Sequence, residues 1–484
     1  MKKIIILGAS GYIGLRLAKK FKKENNVELH LFNRNKEKIS WLKNEKTFVY
    51  DIPMEKEYTK DLKNVFSNAD IIYYLIHSMS EENEEFENKD IQLASFISKI
   101  STESNVKKIV YLGGLGNTNI SLSKHLKSRQ DTGKELKKYH KNVKEYRAGI
   151  IIGAGSSSFE IVRTLANKLP FIPVFWEKEG LCEPIFVDDV ISLLKSEVNN
   201  KYIDNITFEI GCKEKITYSE LVKKYSHEII DRQIKIIKLP FLEKIFSPKI
   251  IGKIISIMTG QPKQLVIPLI YGVKNDAIVN NYIKRKKMTR LDIALKLAAK
   301  RDRSGQILSV WDFPSNLSHF KEPKEKIFGT KEKEGLLYEE VIIDINSPNS
   351  IFEEIQSIGG EKGYWSMPLL WEIRGYIDRL FGGLGLNKYY SKRTEDLHMG
   401  DRIDFWVVEY IVNKSNEKVL RLRAEMKTPG EAWLQFSIIN KKLYLRAFFE
   451  PDGIFGYLYW YSLYPIHKFI FKQMVRNIIK KDAY

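Results

Sequence analysis

The first fourteen residues constrain the fold most. Behind two lysines, Ile4-Ile5-Ile6 is a continuous apolar run, and it passes straight into Leu7–Gly14, LGASGYIG. A short run of this kind reads as a buried strand over Lys3–Leu7. Tyr12–Lys23 then carries Ile13, Leu17 and Phe21 at helical spacing. Between them Gly8, Gly11 and Gly14 form G-x-x-G-x-x-G. Glycine at these positions lets the backbone turn sharply and approach a pyrophosphate with no Cβ in the way. The N–H groups opening the following helix would face the phosphate charge. A Gly pattern alone is weak, and a tight turn without ligand is the alternative. Its place between a strand and a helix points to dinucleotide binding.

The next two hundred residues repeat the alternation. Strands are expected at Val27–Phe32, Phe48–Tyr50, Asp70–Ile76, Lys108–Leu112 and Tyr146–Ile152, with helices at Ile91–Ile100 and Leu126–Tyr139. Such alternation predicts an α/β, doubly wound parallel sheet of the Rossmann kind. From about Glu183 the pattern loosens, with a helix expected at Tyr218–Ile229. Lys321–Lys333 is rich in charge and reads as a linker. Beyond it the period changes to two in Arg402–Val412, Lys418–Lys427, Trp433–Ile439 and Leu443–Phe449, and a long helix runs to Lys481. These consecutive strands predict a C-terminal α+β domain with an antiparallel sheet. The expected boundaries are 1–322, with 183–322 as a substrate-side extension, and 325–484.

Composition narrows the function classes. The formal charge of +19 is spread along the chain, as solvated lysine faces are, and leaves room for an anionic partner. No zinc-finger spacing or recognition-helix pattern supports a nucleic-acid partner. Cys182 and Cys212 form no C-x-x-C pair, and no metal site is expected. A reducing, cytoplasmic location fits. The opening apolar run is too short for a secretory signal. Gly456–Phe471 comes nearest to a membrane span, but Pro465, His467 and Lys468 interrupt it. It reads as a buried helix, with peripheral membrane contact as the alternative.

The end of the second strand reads Phe32-Asn33-Arg34. An NAD site usually offers an acid here for the ribose hydroxyls. Asn33 lacks that charge, and Arg34 suits a 2′-phosphate, so NADP is favoured and NAD stays open. Asp51 would cap the adenine edge or start a turn. Leu75 in the fourth strand, His77 closing it, and Gly113 after the fifth complete the expected cofactor set of Gly8, Ser10, Gly11, Tyr12, Ile13, Gly14, Asn33, Arg34 and Asp51.

GASGYIG, Tyr73–Met79 (YYLIHSM), Tyr111–Gly116 (YLGGLG), His125–Arg129 (HLKSR) and Tyr146–Glu160 together resemble an atypical short-chain dehydrogenase/reductase of the NmrA-like, NAD(P)H-binding subgroup. Glu183–Val190 (EPIFVDDV) is similar to a segment of its extended members. Past the linker, GYWSMPLLWEIRGYIDRLFGGLGL, DFWVVEY, LRLRAEMKTPGEAWLQF and YLYWYSLYPIHKFIF resemble an uncharacterised domain fused to such reductases. The resemblance implies a START-like helix-grip module, a sheet wrapped on a long helix around a cavity.

Short-chain reductases use a Tyr and a Lys four residues on, the Lys lowering the Tyr pKa. Ser123–Glu135 holds no tyrosine. Tyr282/Lys286 and Tyr464/Lys468 have the spacing but lie in the wrong segments. The candidate catalytic residues are instead His77 and Ser78 after the fourth strand, and His125 and Arg129 near the missing Tyr. A histidine can move a proton near neutral pH. The structural readings are a strand cap, a helix start and a surface ion pair. Trp365, Trp371, Trp406, Trp433 and Trp460 all follow the linker, as core packing or as the lining of an apolar cavity. Three functions fit: an NADP(H)-dependent oxidoreductase acting on an apolar carbonyl, enone or quinone; an NADP(H) redox sensor without chemistry; or a lipid or isoprenoid binder with a structural nucleotide. The partner in each is a small apolar molecule, and the oligomeric state is open.

Overall fold

The computed structural model describes residues 1–34, 36–52, 59–76, 84–116, 124–201, 204–259, 263–280, 282, 287–303, 337–359, 363–380, 386, 397–415, 417–426 and 428–480. They divide into two compact units, Met1–Ser318 and His319–Tyr484, each described by itself.

The first unit opens with β1 (Lys2–Leu7), β2 (Val27–Asn33), β3 (Thr47–Asp51), β4 (Ile71–Tyr74), β5 (Ile109–Gly114) and β6 (Val143–Ala148). Shorter strands follow: β7 (Ile151–Ile152), β8 (Phe171–Val174), β9 (Leu181–Cys182), β10 (Ile185–Phe186), β11 (Ile206–Ile210), β12 (Ile216–Thr217) and β13 (Lys235–Lys238). One seven-stranded sheet has the order β3-β2-β1-β4-β5-β6-β11. Every neighbouring pair in it is parallel. The order reverses between β1 and β4, which makes the switch point where a doubly wound sheet binds ligands.

Helices α1 (Tyr12–Lys22), α2 (Thr59–Phe66), α3 (Glu84–Glu103), α4 (Lys124–Tyr139), α5 (Ser157–Lys168) and α6 (Val187–Ser196) connect the strands. The β1 run is apolar throughout because both faces are covered. Ile4 and Ile6 join one core with Leu17, Val190 and Leu194, whereas Ile5 and Leu7 join the other with Phe66, Ile97 and Leu136. Beyond α6 the unit adds α7 (Tyr218–Tyr225), α8 (Pro248–Thr259), α9 (Lys263–Gly272) and α10 (Leu291–Arg303).

The second unit is a six-stranded antiparallel sheet, ordered β14-β19-β18-β17-β16-β15. Its strands are β14 (Leu337–Asp344), β15 (Arg402–Ile403), β16 (Trp406–Asn413), β17 (Lys418–Ala424), β18 (Gly430–Ile439) and β19 (Lys442–Pro451), and its helices α11 (Pro348–Gln356), α12 (Pro368–Leu380) and α13 (Gly453–Lys480). Leu420 and Leu422 of β17 pack with Phe436 and Leu445 against Ile470, Met474 and Ile478 of α13.

Three elements depart from the sequence reading. Tyr146–Ile152 is two strands, because the chain leaves the main sheet at Gly149 and β7 pairs with β10 instead. Arg402–Val412 is a hairpin, turned at Asp404 (φ +53°), whose carboxylate accepts from the Tyr364 hydroxyl at 2.8 Å. The helix expected over Tyr218–Ile229 ends at Tyr225 and widens into a π turn over Ser226–Ile230.

Candidate functional site

The Gly-rich turn sits at the carboxyl end of β1, beside the switch point. Gly8 has φ +88°, and a Cβ there would meet the Leu75 carbonyl oxygen at 2.9 Å. Its N–H and that of Ala9 both donate to the Phe32 oxygen, at 2.9 and 3.1 Å. Gly14 is tighter, since a Cβ would lie 2.1 Å from the Gly8 oxygen. At Gly11 a Cβ would meet only the Gly8 oxygen, at 3.3 Å, so the space beside it is left by the protein. Gly11 is also the N-cap of α1, and no side chain caps this helix. The first turn holds no acid, so the N–H groups of Tyr12, Ile13 and Gly14 open the helix without a competing carboxylate. This backbone is an anion cradle, and it fits the phosphates of a dinucleotide.

Side chains brace the cradle. Ser10 Oγ donates to Asn33 Oδ1 at 2.7 Å, tying the turn to the end of β2. Tyr12 turns its ring into the domain, and its hydroxyl donates to the Ala154 oxygen at 3.2 Å. Arg16 donates to the same oxygen at 2.7 Å and stacks on the Tyr12 ring, 4.5 Å from its centroid. A Cβ at Gly153 would meet the Tyr12 hydroxyl at 2.4 Å, which accounts for the glycine of that turn. The sequence assigns no bracing role to Arg16, or to Gly153 and Ala154 within Tyr146–Glu160. Their only trace there is the Gly-Ala-Gly following β7.

The remaining expected cofactor residues occupy distinct places. Leu75 lies under the turn, and its N–H donates to the Leu7 oxygen at 3.0 Å. Arg34 is exposed just after β2, and its charge is felt at the Tyr74 phenol. Asp51 pairs in register with Asn33 but accepts from the Lys36 N–H at 2.8 Å and sits 3.3 Å from Lys36 Nζ. Its carboxylate therefore fastens the turn after β2. Gly113 faces Tyr111, Glu145 and Arg147, with Cβ distances of 3.2, 3.3 and 3.7 Å. That makes it a packing glycine between β5 and β6.

Of the catalytic candidates, His77 and Ser78 lie outside the described residues. His125 falls on the first turn of α4, and its side chain is not among those described. Arg129 is one turn on, and its Nη2 donates to the Leu112 oxygen at 3.2 Å, by the carboxyl end of β5. Tyr111 is a phenol beside Arg129, but its hydroxyl is committed to the Arg129 carbonyl at 2.7 Å, and burial pushes its pKa up to about 12. It is no substitute for the missing reductase Tyr. Tyr282 donates to Glu183 Oε2 at 2.8 Å, so its phenol serves a buried carboxylate that also accepts from the backbone of Lys213 and Val279. Burial likewise raises the thiols of Cys182 and Cys212, to about 12 and about 11.

A buried ion cluster lies under α4. Glu145 is wholly buried, contacts Lys137 Nζ and accepts from Arg147 Nε at 2.7 Å. Burial alone would raise its pKa, but the hydrogen bonds and charges of Arg147 and Lys137 outweigh it and hold the carboxyl below its ordinary value. Gly133 makes room, since a Cβ would stand 2.9 Å from the carboxylate.

Residues 8–151 match a family model described as NAD(P)H-binding, and residues 335–474 match one described as a protein of unknown function, DUF2867. No curated protein matches the chain. Among solved structures, UDP-glucose 4-epimerase of Thermotoga maritima, determined with UDP-glucose, aligns with a TM-score of 0.45 at 15% identity over 63% of this chain and 99% of its own. A nucleoside-diphosphate-sugar epimerase of Staphylococcus aureus gives 0.47 at 13% identity, over 61% and 100%. UDP-glucuronic acid 4-epimerase of Bacillus cereus, with UDP-glucuronic acid and NAD, gives 0.44 at 14% identity, over 62% and 98%. The likeness is loose, and the fold is read from the strand order itself. The chain thus joins a doubly wound unit that matches an NAD(P)H-binding family model over residues 8–151 to a second unit that matches the DUF2867 model over residues 335–474.

Proposed function

We propose that the protein is an NADP(H)-dependent oxidoreductase acting on an apolar carbonyl, enone or quinone. The observation that carries this reading is the uncapped helix start behind Gly8, Gly11 and Gly14, with Asn33 closing β2, Arg34 directly after it, and no acid at either position. Arg34 would pair with a 2′-phosphate, which an Asp or Glu there would repel. When bound, NADPH supplies a hydride from nicotinamide C4. The substrate carbon takes that hydride with its electron pair, and the substrate oxygen then needs a proton. We assign the proton to His125 and the steadying of negative charge on that oxygen to Arg129, the cation near the end of β5. Residues 183–303 would complete the substrate side.

In this reading the C-terminal domain binds the apolar molecule as a START-like helix-grip module. Tyr364 stacks on Trp371 at 4.4 Å and Phe449 on Trp460 at 5.6 Å, largely buried aromatic rings beside which such a ligand would lie. One observation favours the redox-sensor reading: no tyrosine stands in α4 before Tyr139, and Tyr111 is committed to Arg129. Purified protein mixed with NADPH and a panel of quinones and enones, followed at the nicotinamide absorbance band, separates the two. Oxidation above background with a panel member supports the enzyme. Tight NADPH binding with no turnover across the panel would sink it in favour of the sensor.

A further inference from the structure

The second unit carries two helices whose outward faces are apolar. On α12, Leu369, Ile373, Tyr376 and Ile377 are exposed, Leu369 by 67% and Tyr376 by 65%. Inward this helix turns Gly375 and Asp378 along with Leu370 and Trp371, which pack on the core, while Glu372 is exposed beside Tyr376. A surface helix normally shows a polar outer face. Beside it, α13 exposes Phe455 by 78% and Leu458 by 62% in its first half, together with Ile454 and Tyr461, and Phe469 further on. The two helices are fastened together, since Arg374 of α12 donates to the Tyr459 hydroxyl of α13 and stands 5.8 Å from its ring centroid. Exposed apolar area of this extent marks an interaction surface.

The second half of α13 shows what that surface meets. Lys468, Lys472, Arg476 and Lys480 are exposed and recur every fourth residue. At about 100° per residue they fall on the same side of the helix as Ile454, Leu458, Tyr461 and Phe469. No Asp or Glu occurs in the 28 residues of α13. The opposite side is core, through Ile470, Met474 and Ile478. One outward face of α13 thus runs from apolar and aromatic to cationic, with the buried Glu339 of β14 as the acid beside Lys468 and Lys472.

We propose that α12 and α13 lay this face on an anionic lipid bilayer, the apolar half entering the headgroup boundary and the four cations resting over acidic headgroups. Among the described residues no helix is long and apolar enough to cross a membrane, so the helix lies on the surface instead of spanning it. Aromatic rings with polar tips, such as Tyr376 and Tyr461, suit that boundary. A second copy fits the face poorly. Two such helices side by side oppose like charges, and head to tail they bury cations against apolar side chains.

Vesicle co-sedimentation of the full chain tests this, with phosphatidylcholine alone and with phosphatidylcholine mixed with phosphatidylglycerol. The wild type should bind the anionic vesicles and not the neutral ones. Each cation near an anionic surface is worth about fivefold in affinity, so Lys472→Gln with Arg476→Gln should weaken binding roughly 25-fold. Leu458→Glu with Tyr461→Glu should abolish it, and raised salt should weaken it. Each variant is compared with the wild type by circular dichroism and NADPH titration, which a surface change leaves unaltered. Equal binding to neutral vesicles, no binding to either, or a wild-type dimer that Leu458→Glu dissolves while vesicle binding is absent would each overturn the proposal.

Discussion

Gly11→Ala isolates the space that the protein leaves beside the Gly-rich turn. A Cβ at Gly11 would lie 3.3 Å from the Gly8 oxygen, a tenth of an ångström inside ordinary contact at 3.4 Å, and Gly11 has φ −65°. The fold should accept it, with a melting temperature within about 2 °C of wild type. The methyl would intrude on a bound pyrophosphate and cost at least one charge-assisted hydrogen bond. Such a bond is worth about 1.5–3 kcal/mol, or roughly 10- to 150-fold in Kd. Gly14→Ala is the contrasting case. Its Cβ would lie 2.1 Å from the Gly8 oxygen, so the turn must move by 3.4 − 2.1 = 1.3 Å to restore ordinary contact. It should lose both stability and cofactor. Gly272→Ala, with nothing within 4 Å of its Cβ, is the control and should alter neither. The readouts are NADPH fluorescence titration and thermal melting. A Gly11→Ala protein that binds NADPH like the wild type would refute the placement of the phosphates at this turn.

Three further outcomes follow from the same structure. Arg34→Asp should weaken NADPH at least tenfold and leave NADH unchanged or improved; an unaltered preference removes Arg34 from the 2′-phosphate. Glu145→Gln should destabilise the N-terminal domain by about 2–3 kcal/mol, short of the ~3–5 for a fully buried pair because Lys137 and Arg147 keep some water contact. Because its folded pKa is depressed, the stability Glu145 adds is present above its ordinary value and lost as pH falls through the folded one. Acid titration of the melting temperature should therefore be flatter in Glu145→Gln. His467 lies against Trp460 and Phe471, and burial, with Arg374 nearby, lowers its pKa from 6.5 to about 4. The stability tied to neutral His467 is complete above pH 6.5 and drains towards pH 4, about 3 kcal/mol at ~1.4 per unit. Urea titration by tryptophan fluorescence should show that loss in the wild type and not in His467→Gln.

The cofactor turn was legible because its signal is local. Gly8, Gly11 and Gly14 stand between an apolar run and a helix, and no distant residue is needed to see why. Ser10 with Asn33, and Arg16 with Ala154, escaped because their partners lie 23 and 138 residues away. Glu145 escaped for the same reason, since on a strand it reads as a solvent-facing acid until α4 covers it with Lys137. Period-two alternation in Arg402–Val412 could not show the hairpin, because Asp404 supplies the positive φ where glycine would have marked it. The exposed apolar face of α12 has no trace in composition. Leu369, Ile373, Tyr376 and Ile377 look like core until the packing turns Leu370, Trp371, Gly375 and Asp378 inward in their place.

The central claim is that the first domain holds a phosphorylated nicotinamide dinucleotide. Calorimetric titration of the wild-type chain with NADPH and, separately, with NADH tests it directly. One NADPH should bind per chain, at least tenfold more tightly than NADH. Failure of both to bind would contradict the account.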